Sequence, residues 1–128
     1  TGDLLSGALW SYVDRCLARA NRLLAGLPFC EPFEDIRAMA RRAEPLIHLE
    51  NQAGEGWLIA AEVAHFAETG VTRVISVQPF GCIANQVVSK GIEKRLRNRY
   101  PALNLLFLDY DSNVSEVNVQ NRLHFILQ

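Results

Sequence analysis

Residues 71–111 read VTRVISVQPFGCIANQVVSKGIEKRLRNRYPALNLLFLDYD, and this stretch decides the fold. The β-branched run at 71–77 has the composition of a strand, and Pro79, Phe80 and Gly81 break it. Ile83, Val87, Val88, Ile92 and Leu96 then recur at helical spacing as far as Tyr100. Pro101 ends that helix, because the residue before a proline is pushed out of the helical region. The continuous apolar run at 103–108 is a second strand, closed by the acidic turn 109–112. Strand, helix and strand with a crossover of about twenty residues make a βαβ unit, whose strands pair in parallel.

On the amino-terminal side, Leu5, Leu9, Tyr12, Cys16, Leu23 and Leu27 recur at three- and four-residue steps with Arg15, Arg19 and Arg22 between them. This spacing predicts an amphipathic helix over about 3–25, closed by Gly26 and Pro28. A second, shorter helix is expected at 32–42, ended by Pro45, and the two together form a helical hairpin over one face of the sheet. Residues 46–56 show no period and read as a loop. The Ala-rich stretch 57–68 is a further helix with Gly70 as its C-cap. On the carboxyl side a last helix starts near Ser115 and carries Val119, Leu123, Ile126 and Leu127 on its apolar side. Two buried parallel strands do not make a stable sheet alone, so a third short strand is expected at 45–49. The expected architecture is α/β: a small parallel sheet of three strands flanked by helices, with a helical segment at 1–44 and an α/β domain at 45–128.

An apolar fraction of 49% in 128 residues supports one packed domain of ordinary size. The net charge of −1 gives no general reason to expect nucleic acid or an acidic membrane surface as a partner. No run of roughly 18 apolar residues and no basic-then-apolar leader is present, so the expected compartment is the cytoplasm. Cys16, Cys30 and Cys82 are odd in number and widely spaced, which fits reduced thiols and lacks the paired spacing of a zinc site. A first residue that is not Met, and an end at Gln128 inside an apolar helical pattern, suggest a piece of a longer polypeptide.

In open parallel sheets ligands sit beyond the carboxyl ends of the strands, where loops and helix N-termini converge. Two loops qualify, 78–82 and 109–113. In the first, a Cys82 thiolate near a helix N-terminus is stabilised by unpaired backbone N–H groups and can ligate soft iron; the alternative is a small apolar plug. In the second, Asp109 and Asp111 stand two apart at a strand end and can share a Mg²⁺ ion or a polar group. That pair also resembles the DxD motif of haloacid-dehalogenase-type phosphatases, although too few residues follow it to carry the rest of such a site. The plainer reading is that Asp111 or Ser112 turns the chain and Ser115 caps the last helix, with Glu116 in its first turn. Lys90, Lys94, Arg95, Arg97 and Arg99 either meet coenzyme A phosphates or an acidic partner, or form a solvated face near a helix C-terminus. His48, His65 and His124 share no ligand spacing and read as surface or half-buried residues. Cys16, Trp10 and Trp57 read as core.

Beyond these local readings, Pro79-Phe80-Gly81-Cys82, Gly91, Leu108-Asp109-Tyr110-Asp111, Ser115-Glu116-Val117-Asn118 and Asn121-Arg122 form a pattern. With it the chain, over roughly residues 56–127, resembles the C-terminal region of the activase-related proteins of the 2-hydroxyacyl-CoA dehydratase system. The first fifty residues match loosely. The resemblance implies an iron–sulfur protein of ATP-dependent electron transfer, with an actin-like ATPase module elsewhere in the parent and an acyl-CoA dehydratase or reductase as partner. It further implies a site around Pro79, Gly81, Cys82, Asp109, Asp111, Glu116 and Asn118, with Cys82 as the metal ligand. A [4Fe–4S] cluster usually takes four cysteines, and Cys30 is the one conceivable second ligand, so the chain alone is expected to hold no cluster and to turn over no ATP.

Overall fold

The structure is a computed structural model that describes residues 2–28, 30–52, 54–110 and 115–128. Its contacts divide the chain into two compact units, Thr1–Asp35 and Ile36–Gln128.

The first unit is built on helix α1, Gly2–Leu24. Asn21 ties the following segment back to it: its Nδ2 donates to Phe33 O at 2.9 Å, and Phe33 N–H donates to Asn21 Oδ1 at 2.7 Å. This reciprocal pair engages both backbone groups of Phe33, and the second helix begins after it, at Ile36 and not at residue 32. No described side chain of the unit is fully buried. Leu9 is 63% exposed, and Leu4, Leu5, Tyr12 and Leu23 are exposed with it. Cys16 and Trp10, expected in the core, are exposed too, because a single amphipathic helix has no second layer within its own unit.

The second unit runs α2 (Ile36–Ala43), α3 (Trp57–Glu68), β1 (Arg73–Pro79), a π-helical stretch (Ala84–Ser89) continuing into α4 (Lys90–Arg99), β2 (Asn104–Tyr110) and α5 (Glu116–Leu127). The strands are parallel, in register from Arg73 beside Asn104 to Pro79 beside Tyr110. The expected βαβ arrangement is therefore present. Ala43, Leu46, Ile47, Ala60, Ala64, Val74, Val88, Ile92, Leu96, Leu105 and Phe107 form one apolar core, with Trp57 packed against it. Helix α2 packs on α3 and belongs to this unit. Arg42 pairs with Glu68 at 2.8 Å, and Tyr100 donates to the same carboxylate at 2.7 Å. At the end of α3, Gly70 N–H donates to Ala67 O and Val71 N–H to Phe66 O. That is a Schellman cap, and it requires the positive φ of 91° that Gly70 adopts.

Two further expectations fail. Among the described residues the sheet has two strands, and 45–49 is not a third. Leu46 and Ile47 both donate backbone N–H groups to Ala43 O, and both side chains are buried, so the segment turns at the end of α2 where a strand would alternate. Arg95 Nη1 holds it there by donating to Leu46 O at 2.7 Å. In α5, Ile126 is buried and Val119 and Leu123 are half-buried, whereas Leu127 is exposed. Among the described residues, no helix is long and apolar enough to cross a membrane.

Candidate functional site

Parallel register brings the two strand ends together, as expected: Gln78 lies beside Asp109 and Pro79 beside Tyr110. Phe80 N–H extends the ladder by donating to Tyr110 O at 3.3 Å. The chain then turns, Cys82 N–H donating to Pro79 O at 3.2 Å, with Gly81 at φ 78° in the third position, where a type II turn needs glycine. Cys82 thus sits at the mouth of the crossover helix, half-buried. Asn85 Nδ2 donates to its Sγ at 3.1 Å. Cys16 and Cys30 belong to the first unit.

Behind the turn the helix opens: Lys90 N–H donates to Asn85 O, a five-residue step that inserts an extra residue into the winding. Over this stretch the sheet is covered by polar groups. Side chains at Val74, Ser76 and Gln78 share a face with Leu105, Phe107 and Asp109, since register partners in a parallel pair point the same way. Ser76 Oγ and Ser89 Oγ lie 3.3 Å apart, and Gln78 Nε2 donates to Asn85 O at 3.2 Å. Gln78 is fully buried, and its Oε1 has no partner among the described residues. The seam ends at Asp109, whose Oδ1 accepts from Gln86 Nε2 at 2.8 Å and from Lys90 Nζ at 3.2 Å. Lys90 also donates to Gln86 Oε1 at 2.8 Å, closing a three-residue network. The Gln86 hydrogen bond, followed by the Lys90 ammonium, lowers the Asp109 pKa below its ordinary value. Asp109 is ionised near neutral pH and is held by the protein.

The other expected residues are not gathered with these. Glu116 accepts from Gln120 at 3.1 Å, Asn118 is exposed, and among the described residues no hydrogen bond ties either to Cys82 or Asp109. Ser115 occupies the N-cap of α5 with extended backbone, but its hydroxyl makes no cap bond. Asp111 lies outside the described residues. Among the described residues no group of three or more His, Cys, Asp or Glu side chains is placed to hold a metal ion. The basic residues of α4 are largely used within the fold: Lys90 on Asp109, Arg95 on Leu46 O, Arg97 on Glu93 and Leu105 O, and Arg99 over the Tyr100 ring.

The chain matches no protein-family model, no curated protein and no solved structure.

Sequence reading placed Gln78 in the loop 78–82, whereas it lies within strand β1 as a buried residue, and it missed Asn85, Gln86 and Ser89. The available signal was Ser76 and Gln78 themselves: strands of a buried parallel sheet run nearly unbroken in apolar residues, so two polar side chains on one face call for partners opposite them.

Proposed function

We propose that this chain is a module of an activase-related iron–sulfur protein in which Cys82 supplies one thiolate to a [4Fe–4S] cluster and the surrounding protein supplies the rest. The motif pattern from Pro79 to Arg122 supports the family. One geometric observation supports the ligand: Cys82 is half-buried at the carboxyl edge of a parallel sheet and its sulfur accepts an N–H from Asn85. Hydrogen bonds to cysteine sulfur are among the features that set cluster potentials. The described residues of the second unit fit one corner of a cluster, and the module contributes that ligand without independent catalysis. It acts in the cytoplasm beside an actin-like ATPase module of the parent, in electron transfer to an acyl-CoA dehydratase or reductase.

A second reading is a non-catalytic docking module whose two turns are packing features. The network of Asp109 with Gln86 and Lys90 favours it, since these groups satisfy one another without any ligand. Iron and sulfide analysis of the anaerobically produced full-length protein separates the two. On the cluster reading, Cys82→Ser loses cluster or changes its electron paramagnetic resonance spectrum, while Cys16→Ser does neither. An absence of iron and sulfide in the unsubstituted protein leaves the docking module.

A further inference from the structure

The two edges of the sheet are finished differently. Asn104 N–H donates to Thr72 O and Phe80 N–H to Tyr110 O, which fixes the even-numbered residues of both strands as those bonded across the ladder. The odd-numbered peptide groups therefore point outward. On β2 the outward carbonyls are covered: Arg97 Nη2 donates to Leu105 O at 2.9 Å, and Arg122 donates to Phe107 O. Charged side chains across an edge are a standard defence against strand addition. On β1 the N–H and C=O groups of Arg73, Ile75 and Val77 have no hydrogen-bond partner among the described residues. Pro79 closes this row, having no N–H and giving its carbonyl to Cys82.

The open edge is bordered by a cleft of about 370 Å³, lined by Ile59, Val63, Phe66, Val77, Glu55 and Glu62 among others. Its walls are α3 with Glu55 just before it, β1 itself, and Asn85 of the π-helical stretch. Helix α3 lies in the same layer as α4, both contributing to the core beneath Val74. As α4 precedes β2, so α3 precedes β1, and a right-handed crossover through α3 starts from a strand at this edge. Residues 45–49, which would have supplied it, are held elsewhere by Arg95. The cleft's two carboxylates, Glu55 and Glu62, have no partner among the described residues.

We infer that the outer edge of β1 binds an extended peptide as a parallel third strand, and that the peptide carries a Lys or Arg facing Glu55 and Glu62. The edge fixes its form, since three donors and three acceptors at alternate residues are met only by extended backbone. The carboxylates fix its charge. They also disfavour a second copy of this chain, because pairing β1 with its own image brings two sets of Glu55 and Glu62 together. The inference stands whether or not Cys82 holds iron.

The test uses the whole chain with capped synthetic heptapeptides alternating valine with lysine or with glutamate. Amide hydrogen exchange at Ile75 and Val77 is read residue by residue. The lysine peptide is expected to slow both amides at least tenfold, the glutamate peptide to leave them unchanged, and Glu55→Gln with Glu62→Gln to abolish the difference. Val77→Pro removes an outward N–H that the fold does not use and is expected to eliminate binding with the circular dichroism intact; if that variant misfolds, Glu62→Lys, which leaves the backbone untouched, is expected to reverse the peptide preference. Three results overturn the inference: equal slowing by both peptides, no slowing at millimolar peptide, or amides already protected in the free chain in proportion to its concentration, which is self-pairing.

Discussion

Helix α1 carries more large apolar side chains than α3, yet the two differ in what their neighbours allow. Helix α1 is strongly amphipathic, with Leu5, Leu9 and Tyr12 recurring at three- and four-residue steps, and its apolar stripe is exposed. Helix α3, WLIAAEVAHFAE, has a weaker stripe, yet Ile59, Ala60, Ala61, Val63 and Ala64 are all buried. Four alanines make α3 thin enough to be packed by α2 on one side and the crossover helix on another. Periodicity thus announces a helix, whereas burial is decided by whether a second layer exists to receive it.

The comparison is put under most strain by Leu96→Ala. Leu96 is 1% exposed in the core that α3 shares with α4, and truncation there is expected to cost about 2–5 kcal/mol, read as a lowered urea midpoint of the second unit. A smaller effect comes from acid. The Glu68 pKa is lowered by hydrogen bonds from Arg42 and then Tyr100, and that of Asp109 by Gln86 and then Lys90. Carboxyls whose folded pKa lies below the unfolded one stabilise the fold above the unfolded value, and this contribution is lost as pH falls through the folded value. The second unit should therefore lose stability below about pH 4, by under about 1 kcal/mol for each group because both are partly solvated. Glu68→Gln with Asp109→Asn should flatten that dependence. The smallest effect is expected at Leu9→Ala, within about 0.5 kcal/mol by the same urea titration, as for surface changes generally. A loss comparable to Leu96→Ala would show that α1 is covered after all and that the contrast with α3 is mistaken.

The βαβ core was legible because its signals are local: the β-branched run, Pro79 and Gly81, the spacing from Ile83 to Leu96, and Pro101. Its parallel pairing follows from the length of the crossover. The third strand at 45–49 was misread because Leu46 and Ile47 look the same in a strand as in a turn whose side chains are both buried, and what decides between them, Arg95 on Leu46 O, lies far along the chain. Cys82 and Asp109 were correctly placed at one edge. Their partners were not foreseen, because the π-helical insertion that aligns Asn85 and Gln86 with the sheet changes the helical phase, and a 3.6-residue period cannot express it.

The register of the sheet also sets an order of events in folding. Each pair of facing residues is thirty-one positions apart in the chain, as Arg73 and Asn104 show, so the ladder has no hairpin to start from. Closing a loop of that length costs about 3 kcal/mol in chain entropy before the first inter-strand bond forms. The helices can form earlier, on contacts within a few residues, and α4 must already lie against α3 for Val74 and Leu105 to find a shared surface. Strand pairing then comes late in the transition state, and substitutions at Ile92 or Leu96 should slow folding while those in β2 mainly hasten unfolding.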